Sequence, residues 1–119
     1  MKVHVESSPH LVKATLGGTE TLDHVNAQIA REQVVAVVRP AGRLILDFGT
    51  IRSIDSAGVG ALVAVLKAVR KTGGRMALIG LHPQVMSVLK TIRLTTVFEI
   101  HPDEAAALAA FTSTPVTSR

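Results

Sequence analysis

Residues 44–71 read LILDFGTIRSIDSAGVGALVAVLKAVRK, and this stretch decides the fold. Its first part, residues 44–48, is mainly apolar, and with Arg43 it predicts a buried strand over residues 43–48. After a short turn-rich segment, apolar residues recur at helical spacing from Val59 onward. The sequence therefore predicts that a strand leads through a loop into a helix.

Ser56 lies at the predicted start of this helix, directly after Asp55. Asp and Ser are common N-cap residues in any protein, so capping alone explains both of them. The first turn of a helix also carries unpaired backbone N–H groups and the positive end of the helix dipole, which suit a phosphate. At this point two interpretations remain open for Ser56, a structural cap and a functional hydroxyl.

The predicted helix has two different faces. Helical spacing assigns one apolar face to the core: Val59, Leu62, Val63, Leu66 and Val69. The opposite face carries small residues: Gly60, Ala61, Ala64 and Ala68. A solvated face normally carries long charged side chains, so small residues next to Ser56 indicate a surface that a second protein approaches closely. The alternative is that alanine is present only as a good helix former.

The segment IDSAGVG at residues 54–60, with an apolar strand before it and Gly73-Gly74 after it, resembles the STAS domain of bacterial anti-sigma-factor antagonists. That family carries a D-S-[ST]-G signature in which the serine after the aspartate is phosphorylated, and this serine corresponds to Ser56. The resemblance extends over residues 44–111. Two features depart from the family pattern: Ala57 replaces the second hydroxyl residue, and residues 18–23 match the Gly-Glu-Leu-Asp signature only loosely.

The resemblance implies a regulatory protein and not an enzyme. Such a domain binds an anti-sigma factor that is also a serine kinase, which frees the sigma factor for transcription. Phosphorylation of Ser56 by the kinase would break the complex, and a phosphatase would reset it. The positions that the resemblance places at the partner surface are Asp23, Asp55, Ser56, Ala57, Gly58, Gly60, Ala61 and Ala64. The alternative function is that of a STAS-like regulatory subunit of a membrane transporter ATPase.

Composition fits one globular domain, because 119 residues with 47% hydrophobic content can bury a sizeable core. We assign residues 1–111 to this domain and expect residues 112–119 to form a frayed tail. The net charge of +4 is compatible with a nucleic-acid partner. However, the basic residues are scattered and the chain has no Tyr or Trp to stack on bases. No stretch approaches the roughly 20 apolar residues of a membrane span. We therefore expect a cytoplasmic protein that neither binds nucleic acid nor enters a membrane.

No catalytic or cofactor motif is recognisable. A hydrolase elbow of the form G-x-S-x-G would require glycine where Ile54 stands. The glycines at residues 58–60 lack the Gly-Lys-[Ser/Thr] of a nucleotide phosphate loop. Because the five histidines are widely separated and the chain has no cysteine, we expect no metal site, no cofactor and no catalytic residue.

The remaining elements complete a fold prediction. We expect a hairpin of two strands at residues 2–6 and 11–16, with a turn at residues 7–10. The resemblance favours a helix over residues 24–39, opened by Asp23 as its cap and stopped by Pro40, although its second half is rich in β-branched residues. Further strands are expected at residues 76–79 and 97–100, with helices beginning at Pro83 and after Pro102. Because strands alternate with helices, the fold class is α/β, with a single mixed, largely parallel β-sheet and helices packed mainly on one face.

Overall fold

A computed structural model describes residues 1–113 of the chain. Its strands are β1 (Lys2–Ser8), β2 (Leu11–Gly17), β3 (Thr21–Leu22), β4 (Arg43–Asp47), β5 (Ser53–Ile54), β6 (Arg75–Ile79) and β7 (Glu99–His101). Its helices are α1 (Ala27–Val35), α2 (Ser56–Lys71), α3 (Pro83–Thr91) and α4 (Glu104–Ser113). None of the helices within residues 1–113 combines the length and the apolar character that crossing a bilayer requires.

Five strands form one sheet in the order β1-β2-β4-β6-β7. The hairpin β1–β2 is antiparallel, whereas the pairs β2–β4, β4–β6 and β6–β7 are parallel. The predicted mixed and largely parallel sheet is therefore confirmed. The strands β3 and β5 form a separate parallel ribbon in which Leu22 lies opposite Ile54. This ribbon was not predicted, because two-residue strands carry no readable periodicity.

Side chains alternate between the two faces of the sheet, and each face has its own core. On the inner face, Leu44 and Leu46 of β4 pack in a large apolar cluster to which α1, α2 and α3 contribute. On the outer face, Ile45 packs with Ala107 and Phe111 of α4. Three helices therefore cover one face and one helix covers the other, as the prediction of helices mainly on one face requires.

The core face of α2 differs from the prediction at Val63 and Val65. Val59, Leu62, Leu66 and Val69 are buried as expected, but Val63 is only half-buried and Val65 is buried instead. The reason is that α1 packs along α2, and Val65 lies with Ala30 and Val34 at this helix junction.

Helix α1 is shorter than predicted, and Asp23 is not its N-cap. The helix begins at Ala27 after the N-cap residue Asn26 and ends at Val35, four residues before the predicted end at Arg39. The carbonyl of Asp23 accepts the N–H groups of Asn26 and Ala27, which makes a tight turn ahead of the helix. Beyond Val35 the chain continues in short turns of the i→i+3 type.

The C-terminal elements are also shifted by a few residues. Strand β7 begins at Glu99, because the N–H groups of Val97 and Phe98 bind the carbonyl of Leu94 in a turn. Residues 112 and 113 belong to α4, so they are helical and not part of a frayed tail. The rest of the predicted tail, residues 114–119, lies outside the described residues.

Candidate functional site

The site begins with the cap of α2. Asp55 is the N-cap residue, with an extended backbone, and its Oδ1 accepts the N–H of Gly58 at 2.9 Å. Ser56 follows as the first helical residue and is exposed. Its hydroxyl has no hydrogen-bond partner among residues 1–113. Asp55 therefore performs the capping, and the Ser56 hydroxyl remains accessible.

The other oxygen of Asp55 holds the loop that precedes α1. Oδ2 accepts the backbone N–H of His24 at 3.1 Å and lies 3.4 Å from the Nδ1 atom of the His24 ring. These contacts lower the pKa of Asp55 below its ordinary value, chiefly because the Gly58 N–H stabilises the carboxylate, with His24 adding to the effect. The carboxylate is thus ionised at neutral pH and joins two elements of the site.

Gly58 allows α2 to begin against the β3–β5 ribbon. A Cβ atom at this position would overlap the carbonyl oxygen of Leu22 and would lie 2.6 Å from Cγ1 of Ile54. Contacts this short do not occur in folded proteins, so any larger residue would push the helix away from the ribbon. At Gly60, one half-turn later, an added Cβ would meet open space.

The loop before α1 is fixed by a buried amide. Asn26 donates from Nδ2 to the carbonyl of Thr21 at 2.8 Å, and its Oδ1 accepts the N–H of Asp23 at 3.0 Å. Asn26 is the one polar residue that is buried within the described range, at 8% exposure. The carboxylate of Asp23 in turn accepts the N–H of Val25 at 2.9 Å. These bonds order the loop that carries His24 to Asp55.

The ribbon is also braced from the opposite side. Oε1 of Gln84, near the start of α3, accepts the N–H of Ile54 at 3.1 Å. The hydroxyls of Thr21 and Ser53 lie 3.1 Å apart across the ribbon. The start of α2 therefore rests on a hydrogen-bonded support that includes β3, β5 and α3, which positions Ser56 firmly.

A groove of about 510 Å³ runs between α1 and α2 next to this start. It is lined by His24, Ala27, Gln28, Arg31, Ala57, Gly60 and Ala61. The α2 wall consists of small residues, whereas α1 supplies the polar side chains. Arg31 is exposed, and its guanidinium has no carboxylate partner in the part of the chain that the structure describes. We refer to this space as the α1–α2 groove.

Residues 5–107 match the STAS domain family. The chain belongs to this family. BtrV of Bordetella bronchiseptica, a candidate anti-sigma factor antagonist by its name, is 30% identical over 112 residues, which cover 93% of this chain and 95% of BtrV.

Solved structures agree with this assignment at the level of the fold. An anti-sigma-factor antagonist (STAS) domain protein of Planctomyces limnophilus superposes with a TM-score of 0.85 at 16% identity, covering 93% of this chain and 98% of that one. The phosphorylated form of the Bacillus cell fate determinant SpoIIAA superposes with a TM-score of 0.67 at 20% identity, covering 92% and 99%. The sheet and helices described above are thus those of the STAS fold.

In this STAS domain, most of the residues predicted from sequence lie close together. Asp55, Ser56, Ala57, Gly58 and Gly60 share the first turns of α2, and Ala64 follows one turn later, half-buried.

Asp23 and Ala61 differ from the other predicted residues in position or in exposure. Asp23 lies one residue before His24, which contacts Asp55, and so it borders the site from the loop before α1. Ala61 is only 7% exposed, because it packs against α1 at the floor of the groove. It therefore offers much less surface than the prediction of an open small-residue face implied.

Sequence reasoning missed the α1 wall of the groove. His24, Ala27, Gln28 and Arg31 follow the spacing i, i+3, i+4 and i+7, which places them along one side of the segment that leads into α1. This spacing was a readable signal. It could not be used without knowing that this side of α1 faces the small residues of α2.

Proposed function

We propose that this STAS domain is an anti-sigma factor antagonist whose binding to an anti-sigma factor is switched off by phosphorylation of Ser56. The similarity to BtrV over nearly the whole chain supports the antagonist function. The observation that carries the proposal is the exposed Ser56 hydroxyl at the N-terminus of a 16-residue helix, beside the α1–α2 groove.

The position of Ser56 suits a phosphoryl acceptor. The hydroxyl is accessible and takes no part in capping, so modification breaks no hydrogen bond that the structure describes within residues 1–113. A phosphoserine carries about −1.5 to −2 charges at neutral pH, and the N-terminus of α2 stabilises negative charge at this place. SpoIIAA, which has the same fold, is known in a phosphorylated form. The domain can therefore take up the phosphate without refolding.

The docking surface that we propose surrounds the serine. On α2 it includes Gly60, which has no side chain, and Ala64, whose side chain is a methyl group, so a partner can come close to the helix backbone. On the α1 side it includes Val25, which is 74% exposed, and Ile29, which is 45% exposed. A patch of exposed apolar side chains, and not a single one, is typical of a surface that a partner covers, and Val25 and Ile29 lie four positions apart around the start of α1. The anti-sigma factor would thus meet both walls of the α1–α2 groove together with Ser56.

Electrostatic repulsion then explains the switch. A partner carboxylate about 6 Å from the phosphate, at an effective dielectric constant of about 20, would be repelled by roughly 3 kcal/mol per unit charge. This energy corresponds to about a hundredfold loss of affinity. Phosphorylation would therefore release the anti-sigma factor to bind its sigma factor again, and a phosphatase would restore the antagonist.

The partner that we propose is itself a serine kinase. It would transfer the γ-phosphoryl group of ATP to Oγ of Ser56, with ADP and the serine proton as the other products. This arrangement places the acceptor serine inside the same interface that the phosphate later disrupts. Through it the domain would regulate transcription that depends on a sigma factor.

Phosphoryl transfer provides the test. The chain is incubated with MgATP and each anti-sigma factor kinase encoded in its genome, and the products are mapped by mass spectrometry. We expect one added phosphate on the peptide that contains Ser56, and none in the Ser56→Ala variant. Ser53→Ala is the matched control, because Ser53 is half-buried and lies against Thr21, and it should be labelled like the wild type. Absence of transfer with every kinase, or labelling that persists in Ser56→Ala, would contradict the proposal.

A further inference from the structure

Strand β1 forms one edge of the five-stranded sheet. It pairs with β2 on one side only, and no strand within residues 1–113 pairs with its other side. Six of its seven residues are exposed. The pairing with β2 runs from Lys2 to Ser8 without a bulge, and the strand contains no proline. Bulges and prolines are among the features that protect natural edge strands, because an unpaired edge readily accepts another strand.

We propose that two copies of this chain pair through β1, antiparallel, around a two-fold axis at Val5. The two sheets then join into one continuous sheet. This interface lies on β1, so it does not depend on the function proposed for Ser56.

The sequence of β1 fits this register. Val5 is the middle residue of the strand, and a two-fold axis there uses all seven residues of each copy. Opposite residues then have numbers that add up to ten, so His4 lies opposite Glu6 of the second copy, twice. Within one chain, His4 Nε2 already lies 3.9 Å from Glu6 Oε2, and an imidazole and a carboxylate also attract each other across a strand pair. Shifting the axis to Glu6 would place two carboxylates opposite each other, and shifting it to His4 would place two imidazoles there.

The apolar surface next to β1 also supports pairing with a second copy of this chain. Val3, Val5 and Ser7 lie opposite inner-face residues of β2, so their side chains point to the inner face of the sheet. A groove of about 210 Å³ lies there, lined by Val5, Ser7, Val12, Ala36, Val37, Val38 and Arg39. Val5 is 37% exposed at this groove. In the proposed pair, Val5 of each copy covers Val5 of the other and closes the groove from its open side.

Sedimentation velocity tests the proposal on the full chain. We expect the wild type to shift from the mass of one chain toward that of two as its concentration is raised to about 1 mM. Val5→Lys places two like charges opposite each other at the axis and should raise the dissociation constant at least about tenfold. Circular dichroism shows whether each variant remains folded. Lys90→Glu, on α3, is the control and should dimerise like the wild type.

A charge exchange makes the test specific for the register. Glu6→Lys places a lysine opposite His4 of the second copy and should weaken the dimer. The double variant His4→Glu/Glu6→Lys restores opposite charges and should recover it. A chain that remains monomeric at every concentration, or a dimer that neither Val5→Lys nor Glu6→Lys weakens, would overturn the proposal.

Discussion

His24 donates its backbone N–H to the Asp55 carboxylate at 3.1 Å, although the two residues are 31 positions apart in sequence. The same carboxylate caps α2 through the N–H of Gly58. One side chain thus joins the loop before α1 to the first turn of α2, and these two elements provide the walls of the α1–α2 groove. The geometry around Ser56 therefore depends on the ionised form of Asp55.

Stability should depend on pH through this carboxylate. The folded-state pKa of Asp55 lies below the ordinary value of 3.8, because the N–H of Gly58 and that of His24 favour the charged form. A lowered pKa contributes stability above the unfolded-state value, and this contribution is lost as the pH falls through the folded-state value. Asp55→Asn removes the charge but keeps an oxygen that can cap. We expect Asp55→Asn to be less stable than the wild type at pH 7 and equally stable once the pH lies below both values.

Urea unfolding at a series of pH values measures this difference. Glu20→Gln is the control for removing a negative charge from the surface, because the Glu20 side chain is 74% exposed and its ion pair with Arg52, at 3.9 Å, is open to solvent. A gap between wild type and Asp55→Asn that stays constant down to the acid limit would contradict the role assigned to the Asp55 carboxylate.

Gly58 and Gly60 form a matched pair on one helix. Gly58→Ala forces a methyl group against the carbonyl of Leu22 and the side chain of Ile54, so the start of α2 must shift. We expect a loss of about 1–3 kcal/mol in the free energy of unfolding. Gly60→Ala meets open space and should be neutral or stabilise the domain by up to about 1 kcal/mol, because alanine favours the helix. Thermal and urea unfolding measure the change in stability of both variants. Equal changes at the two sites would show that the close approach at Gly58 is unimportant for stability.

The sequence predicted the large elements because their signals are local. The apolar run before Asp47 and the helical spacing after Val59 gave β4 and α2 nearly to the residue. Gly73 has a φ of 79° and follows the end of α2, where a glycine in the left-handed region is favoured. Pro83 opens α3 at its first turn, as proline does because it lacks an N–H.

The features that complete the site depend on contacts between distant segments, and the sequence did not reveal them. The β3–β5 ribbon joins residues about 32 positions apart through only two pairs. Arg31 could not be placed at the groove, because nothing local indicates which side of α1 faces α2. Ala61 was predicted on an open face for the same reason, since its burial comes from the packing of α1 and not from its own helix.

Charge at residue 56 should control partner binding. Ser56→Asp adds one negative charge where a phosphate would add about two, so it should weaken binding to the kinase found by phosphoryl transfer about tenfold to a hundredfold. Ser56→Ala removes the acceptor and should bind like the unmodified wild type even after incubation with ATP. Isothermal titration calorimetry with the purified kinase measures both affinities. Equal affinities for wild type and Ser56→Asp would contradict the switching role of Ser56, while leaving the antagonist function itself intact if binding persists.

Arg31 should favour a partner that places an acidic side chain in the α1–α2 groove. Its guanidinium lines the α1–α2 groove and has no carboxylate partner among residues 1–113, so a partner acid that enters the groove would pair with it. We expect Arg31→Glu to weaken binding about tenfold, whereas Lys90→Glu makes the same change of charge on α3 and should have little effect. Because salt screens an exposed pair, the affinity of the wild type should also fall with rising ionic strength more steeply than that of Arg31→Ala. If Arg31→Glu and Lys90→Glu bind equally well while Ser56→Asp does not, the partner contacts the serine without entering the groove.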